Sequence, residues 1–526
     1  MVSIFIKLKN MKKIIAVLLV LAALASLFTA CSTKPAESST TAANPSEPSA
    51  AATDPAKETL EPVTLKMYLL GDKPAGFDEV YAKINEKLSQ DIQTTLDVEF
   101  ISWSDVDQKY SLLFASGEDF DLIFTAPWAY YSSVANKNGF LEITEDMMKQ
   151  YAPNTWDEVP EAAWEQAKIN GKVYMIPCTT KEYSTRVMVI RGDLRKKYDV
   201  PEVTSLEGFQ NYLYAVAENE PGIIPMQLGD PYMLRELVVG TFNGWDYLGN
   251  VGNNTYLMYD YNSDSNEIFS MLDMPEYLDY LNMMHDWKER GVWTKDVLSD
   301  QSAGQGMAQG REAVSIQNIG IAGLLNSVPK EHPDYDPELI DLSVGKTKMP
   351  ALYINNGMAI HATSKNPERA LMVLDLFRNN REYYDLTWYG IEGKHYTAIG
   401  DTGYSSLPDS ADYGAGGACQ WGWGVSSMQR TADDEPEQRT EIMDRWINEE
   451  TVNHPLQNFN FDDTNVKNEM ANIANVYQQY ALPLELGFVD VEDGLATLKE
   501  KLDQAGIEKV RQEMQTQLDE YLKNLK

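Results

Sequence analysis

From residue 62 onward, the hydrophobic positions switch between two periods. Val63–Leu70 is a compact β-prone run that ends at Gly71 and Asp72. Phe77, Val80, Tyr81, Ile84, Leu88 and Ile92 then recur at helical spacing. Residues 96–101 alternate as a strand, 106–115 form a helical stretch closed by Ser116 and Gly117, and 121–124 read as a short buried strand. An aromatic cluster of Trp128, Tyr130 and Tyr131 follows. The β-α-β-α-β order predicts an α/β fold, with a parallel-type sheet covered by helices. A second α/β block starts near Tyr183. It has strands at 187–190, 313–317 and 357–361, and helices at 193–198, 206–218, 275–290 and 367–379. Residues 229–254 and 400–424 are loop-like and aromatic. Val466, Met470, Ile473, Ala474 and Tyr477 mark a further helix, and Val510, Met514, Leu518, Tyr521 and Leu525 mark the last.

The start of the chain has a different pattern. Lys12 and Lys13 precede an apolar run from Ile14 to Phe28, and small residues then lead to Cys31. A spanning helix needs roughly 20 apolar residues, and this run is shorter. A basic start, a short apolar core and small residues before a cut describe a secretory signal. Residues 32–61 are rich in Ser, Thr, Ala, Pro and Glu. Such a stretch buries too little apolar surface to offset its chain entropy and reads as a disordered leash. Met11 is the expected translation start.

Composition narrows the partners. The chain has 526 residues, 43% hydrophobic and 10% aromatic, and a net charge of −35. Its length calls for more than one core. Lys7, Lys9, Lys12 and Lys13 fall in the signal region, so the mature chain is more acidic still. That charge repels nucleic acid and anionic lipid headgroups. Tyr (29) and Trp (11) together outnumber Phe (15), which suits a surface that is half apolar and half wet. Cys178 and Cys419 either pair across the fold or are both buried thiols.

Catalytic patterns are missing. His285, His332, His361, His395 and His454 make no paired metal spacing. The sequence has no phosphate loop and no G-x-S-x-G. Ser327-Val328-Pro329-Lys330 fits S-x-x-K, but Pro329 disfavours the helix that motif needs. Asp260, Asn262 and Asp264 open like a calcium loop, yet Ser265 replaces the turn glycine and Met271 stands where a bidentate Glu belongs. The reading is a binding protein, not an enzyme, with no cofactor and no metal.

Several strings resemble known families. Cys31 after small residues resembles a bacterial lipobox, with Phe28 where Leu is usual. That resemblance implies export and a lipid tether on Cys31, at the extracytoplasmic face of the cell membrane. Ser116-Gly117-Glu118 through Asp121-Leu122, Asn170-Gly171-Lys172-Val173-Tyr174 through Pro177, and Gly357-Met358-Ala359-Ile360 followed by Asn366-Pro367-Glu368-Arg369-Ala370 resemble extracellular solute-binding proteins of ABC importers. Gly390 through Tyr396 resembles a signature of their larger lipoprotein members. Segments at 453–461, 466–480 and 505–510 resemble a C-terminal region of uncharacterised function found in sugar-type members of Gram-positive bacteria.

The resemblance implies a two-lobed periplasmic-binding-protein-like fold with a hinge between the lobes. Residues 1–30 would be the signal peptide and 31–61 the linker. The first lobe would take 62–182 and 316–378. The second would take 183–315 and 379–526, including the C-terminal helical region. The implied function is capture of a carbohydrate, an oligosaccharide, by hinge closure and its delivery to an ABC permease. The protein would act as a monomer. The alternatives are a surface carbohydrate receptor without transport and a binding protein for a peptide or cationic ligand.

Sugars present C–H faces that aromatic rings cover and hydroxyls that carboxylates and amides satisfy. In open α/β sheets, ligands sit beyond the carboxyl ends of strands. Asp72, Trp103 and Trp128 all lie there. The candidate ligand contacts are Asp72, Trp128 and Tyr130 from the first lobe, and Glu182 and Tyr183 at the crossing. Trp245, Tyr389, Trp421 and Trp423 are candidates from the second lobe, with Asn318 and Asn356 as amide donors.

Overall fold

The computed structural model describes residues 60–180, 182–183, 185–248, 254–298, 306–459 and 461–524. The signal segment, the leash and Cys31 lie outside the described residues. Among those described, no helix is long and apolar enough to cross a membrane.

Among the described residues three apolar clusters form, one in the first lobe and a main and a smaller one in the second. The first lobe opens with β1 (Val63–Leu70), α1 (Phe77–Ile92), β2 (Thr94–Ile101), α2 (Val106–Ser116) and β3 (Leu122–Thr125). β1 pairs parallel with both β2 and β3. Strand Gly357–Ile360 then joins β3 antiparallel, and Ile176–Pro177 closes the sheet beyond it. All four residues of β3 and all four of Gly357–Ile360 are buried. A continuous apolar run of this kind belongs to a central strand covered on both faces. The helical face read from the sequence is the one that α1 buries: Phe77, Val80, Tyr81, Ile84 and Leu88.

The second lobe holds a sheet in the order Pro337–Ile340, Val187–Arg191, Glu312–Gln317, Ile224–Met226. Strand Val187–Arg191 runs antiparallel to both of its neighbours. Its side chains alternate between two apolar clusters. Met188 and Ile190 enter the main second core, while Val187 and Val189 enter a smaller one with Tyr183 and Trp446. A three-stranded sheet from Trp245–Tyr247, Leu257–Asp260 and Phe269–Ser270 packs on the main core.

Three features differ from the sequence reading. Helix Arg381–Tyr389 and residues up to Val425 pack into the first core, through Tyr383, Tyr384, Trp388, Cys419 and Trp423, not into the second lobe. Strand Glu312–Gln317 reaches its end in the second sheet, and Ala322 and Val328 beyond it join the smaller cluster. Pro329 sits inside helix Leu324–Glu331. That helix extends a 3-10 turn at Ile319–Gly323, and Pro329 falls in its last turn, where it removes one backbone donor just before the helix ends.

The C-terminal helices belong to the second core. Lys467–Val476, Val491–Ala505 and Ile507–Asn524 bury Ile473, Leu498, Leu502, Val510, Met514 and Leu518 there. A charge pair anchors them. Arg235 and Glu485 are both fully buried and bonded to each other. Glu485 Oε1 also accepts from the hydroxyls of Tyr256 and Tyr277, each at 2.8 Å. Removing one partner of a buried pair strands the other charge in a medium that cannot solvate it. Glu485→Ala is therefore expected to lower unfolding stability by about 3–5 kcal/mol in urea titration. An unchanged midpoint would show that the pair does not anchor these helices.

Candidate functional site

Parallel strands put their carboxyl ends on one edge, so the loops after β1, β2 and β3 converge. Gly71 follows β1 at φ +109°, and a Cβ there would lie 3.3 Å from the Trp103 indole nitrogen. The glycine allows both the turn and the close approach of Trp103, which follows β2. Asp72 is exposed beside it. Trp128 follows β3 in a tight turn held by Ala129 N to Ala126 O and by Tyr131 N to Ala126 O.

A fourth loop reaches the same edge. Gly422 lies where an added Cβ would come within 2.8 Å of Met358 Sδ and 3.0 Å of Phe124 Cδ2. Only glycine lets the loop press this close, and Trp421 is thereby set near Phe124, 6.3 Å between ring centres. The result is an indole wall. Trp103 stands near-parallel to Trp421, with ring centres 6.2 Å apart. Its other neighbour is Trp128, at 6.3 Å. Trp103 is 51% exposed and Trp128 48%. Large rings are rarely left this open without a role, since each forgoes a large burial gain.

The wall is tied to the crossing between the lobes. Trp128 Nε1 donates to Asn355 O at 2.8 Å. Asn355 and Asn356 lie on the second crossing, and both donate side-chain amides to Glu182 on the first, at 2.7 and 3.0 Å. Burial holds the Glu182 carboxyl above its ordinary range, offset in part by the two amides and by Arg186. Asn356 O accepts from Cys178 N at 3.1 Å, and Cys178 Sγ donates to Trp421 O at 2.8 Å. The crossings also bond each other directly, through Ala351 N to Glu182 O and an antiparallel bridge between Tyr183 and Pro350. Cys178 and Cys419 are both buried free thiols, and burial pushes Cys178 up to about 12.

The structure thus brings together Trp128, Trp421, Glu182 and Asn356, with Asp72 at the same edge. Tyr130 is half-buried and stacks on Tyr110, ring centres 5.2 Å apart. Other candidates have different work. Trp423 is fully buried, bonds Thr387 Oγ1 and packs on Phe377, so it is core. Tyr389 is buried among Tyr396 and Tyr404, and its hydroxyl accepts from Arg430 N. Tyr183 is buried against Trp446, and its hydroxyl accepts from Thr451 Oγ1, which holds the crossing. Asn318 spends its carbonyl as the N-cap of the turn at Ile319–Gly323. Trp245 packs edge-on against Phe269 in the second lobe.

Sequence reasoning did not select Trp103, although its place after a strand was the signal that selected Trp128. It also missed Asn355 and an ionic group in the second lobe. Arg186 pairs with Glu236 at 2.6 Å, and Asp246 lies close enough to feel both. Burial and the neighbouring Glu236 raise Asp246 to about 7.

The arrangement is that of a two-lobed clamp, with an aromatic wall on one lobe and polar groups at the crossing. The family model for bacterial extracellular solute-binding proteins matches residues 71–382, and the chain belongs to that family, whose members work outside the cytoplasm. A domain of unknown function (DUF3502) matches residues 455–523. A carbohydrate ABC transporter substrate-binding protein of Streptococcus pneumoniae serotype 4 is 27% identical over 467 residues, covering 88% of this chain and 91% of the relative. The crystal structure of the N-glycan transport solute-binding protein NgtS of S. pneumoniae with Man1GlcNAc is 25% identical, at a TM-score of 0.73. It covers 88% of this chain and 100% of that one. Its complex with Man5GlcNAc gives 26% and 0.71, covering 88% and 99%. The alginate-binding protein AlgQ2, 17% identical at a TM-score of 0.63 with 88% and 99% covered, shares the fold.

Two outcomes follow from this geometry. Asn355→Ala keeps the carbonyl that holds Trp128 but removes an amide from the half-buried Glu182 carboxylate. The expected loss is about 1–3 kcal/mol of stability in chemical denaturation, and no loss would mean that Glu182 is otherwise solvated. The second concerns pH. An unfolded Asp titrates near 3.9, while folded Asp246 titrates near 7. Between these values the folded state binds more protons, so stability falls as pH rises. Asp246→Asn should raise the melting temperature at pH 8 but not at pH 4. An equal shift at both pH values would contradict the assignment.

Proposed function

We propose that this chain is the lipid-anchored, extracytoplasmic capture subunit of an ABC importer, and that its ligand is an oligosaccharide. The observation that carries the reading is the wall of Trp103, Trp128 and Trp421 beside the crossing. Rings cover the C–H faces of pyranoses, and three rings in a row offer contact to more than one sugar unit. Glu182, Asn355, Asn356 and Asp72 supply acceptors and donors for hydroxyls. The ligands of the similar S. pneumoniae structures are glycans, and a sugar fits these residues for the same physical reasons.

The protein acts by binding and without catalysis. Ligand bridging the wall and the second lobe favours the closed form only if it makes contacts there that the open form lacks. Closure is then what the permease reads. Lipid on Cys31 and the leash over 32–61 would keep a monomeric clamp beside that permease.

A thermal-shift screen with neutral oligosaccharides, Man1GlcNAc among them, tests this reading. A binder raises the melting temperature in proportion to the logarithm of its concentration. Trp128→Ala should weaken that ligand by about tenfold or more and leave the far-ultraviolet dichroism spectrum unchanged. Wild-type affinity in the variant would remove the wall from the site.

A further inference from the structure

The first crossing carries a charge pattern that the aromatic wall does not explain. Arg186 lies four positions past Glu182. It donates to Glu236 from Nε at 2.8 Å and covers the Tyr232 ring at 5.7 Å. Thr241 Oγ1 donates to Thr185 Oγ1 at 3.4 Å, so the π-helical turn Glu236–Thr241 abuts the crossing. The strand Trp245–Tyr247 follows directly, and half-buried Asp246 there accepts from Tyr247 N at 2.8 Å. Glu182, Glu236 and Asp246 therefore share the field of one guanidinium, Arg186. Glu182 links this group to the site already described, and the Arg186 and Glu236 side chains each stay 15% exposed.

Such a set discriminates by charge. Glu236 is paired with Arg186, so the excess negative charge is that of Glu182 and Asp246 when they are ionised, and charges act further in a half-buried cleft than in water. A ligand carboxylate entering there loses hydration and meets like charge. A ligand hydroxyl meets acceptors to which it donates. Resting on the carbohydrate reading above, we infer that Glu182, Glu236 and Asp246, with Arg186 held by Glu236, restrict the clamp to uncharged oligosaccharides and exclude chains that bear uronate or sialate carboxylates.

Asp246 grades this exclusion with pH. The groups that face it are Glu236, Arg186, Tyr259 and Tyr261. Burial pushes both phenols upward, so they stay neutral. With Asp246 titrating near 7, its carboxyl is mostly neutral at pH 6 and mostly charged at pH 8.

The experiment is titration calorimetry on the full chain with matched probes: Man1GlcNAc, mannotriose and chitotriose, each beside a counterpart oxidised to the uronate at C6. At pH 8 a neutral probe should bind at least tenfold tighter than its uronate. At pH 6 the gap should narrow, and in Asp246→Asn the gap at pH 8 should fall to the pH 6 value. A neutral probe and its uronate binding alike at pH 8 would overturn the charge selection while leaving the carbohydrate reading intact. Failure of every neutral probe would overturn both.

Discussion

A carboxylate out of water must be satisfied, and the cleft is arranged around that demand at Glu182. Its two oxygens are each met by an amide from a neighbouring crossing segment, Asn355 and Asn356. The same two residues present carbonyls to Trp128 Nε1 and Cys178 N. Cys178 in turn holds the loop that carries Trp421. One half-buried acid therefore fixes the register of the first two crossings and, through them, the position of two rings of the wall. Polar networks of this sort are stable only when every member has a partner, so movement at the crossing is coupled to the wall.

The rest of the architecture supplies the two bodies that such a crossing joins. On the first lobe, parallel pairing of β1 with β2 and β3 gathers three loops on one edge, and a fourth is pressed onto it at Gly422. On the second, the region matching the domain of unknown function is built into the core, where Glu485 meets Arg235, Tyr256 and Tyr277. The C-terminal helices are thus part of the second lobe and would move with it.

The legible parts of this fold were those with local causes. β1 follows from a compact β-prone run, β2 from alternation and α1 from period 3.6, each within a single stretch, and β3 from a short run buried on both faces. The edge carrying Asp72, Trp103 and Trp128 followed from strand direction alone. What escaped depends on contacts distant in sequence. Trp421 and Trp423 flank one glycine in a 3-10 turn, and only the approach of Met358 and Phe124 decides which ring faces out. The Arg186–Glu236 pair spans 50 residues. Residues 229–254 read as loop, yet they contain helix Tyr232–Arg235, a π-helical turn and a strand, because the aromatic composition hid their short periods. Tyr389 and Trp423 read as rings available to a ligand, Trp423 from its loop-like surroundings, but both pack inside the first core with their polar tips satisfied.

The central claim is that ligand on the indole wall draws the two lobes together about the Glu182 crossing. Small-angle scattering measures that directly, on the full chain with and without a saturating oligosaccharide whose binding is established by calorimetry. The account predicts a smaller radius of gyration with ligand. Saturated binding with an unchanged scattering curve would contradict it and leave a receptor that holds sugar without closing.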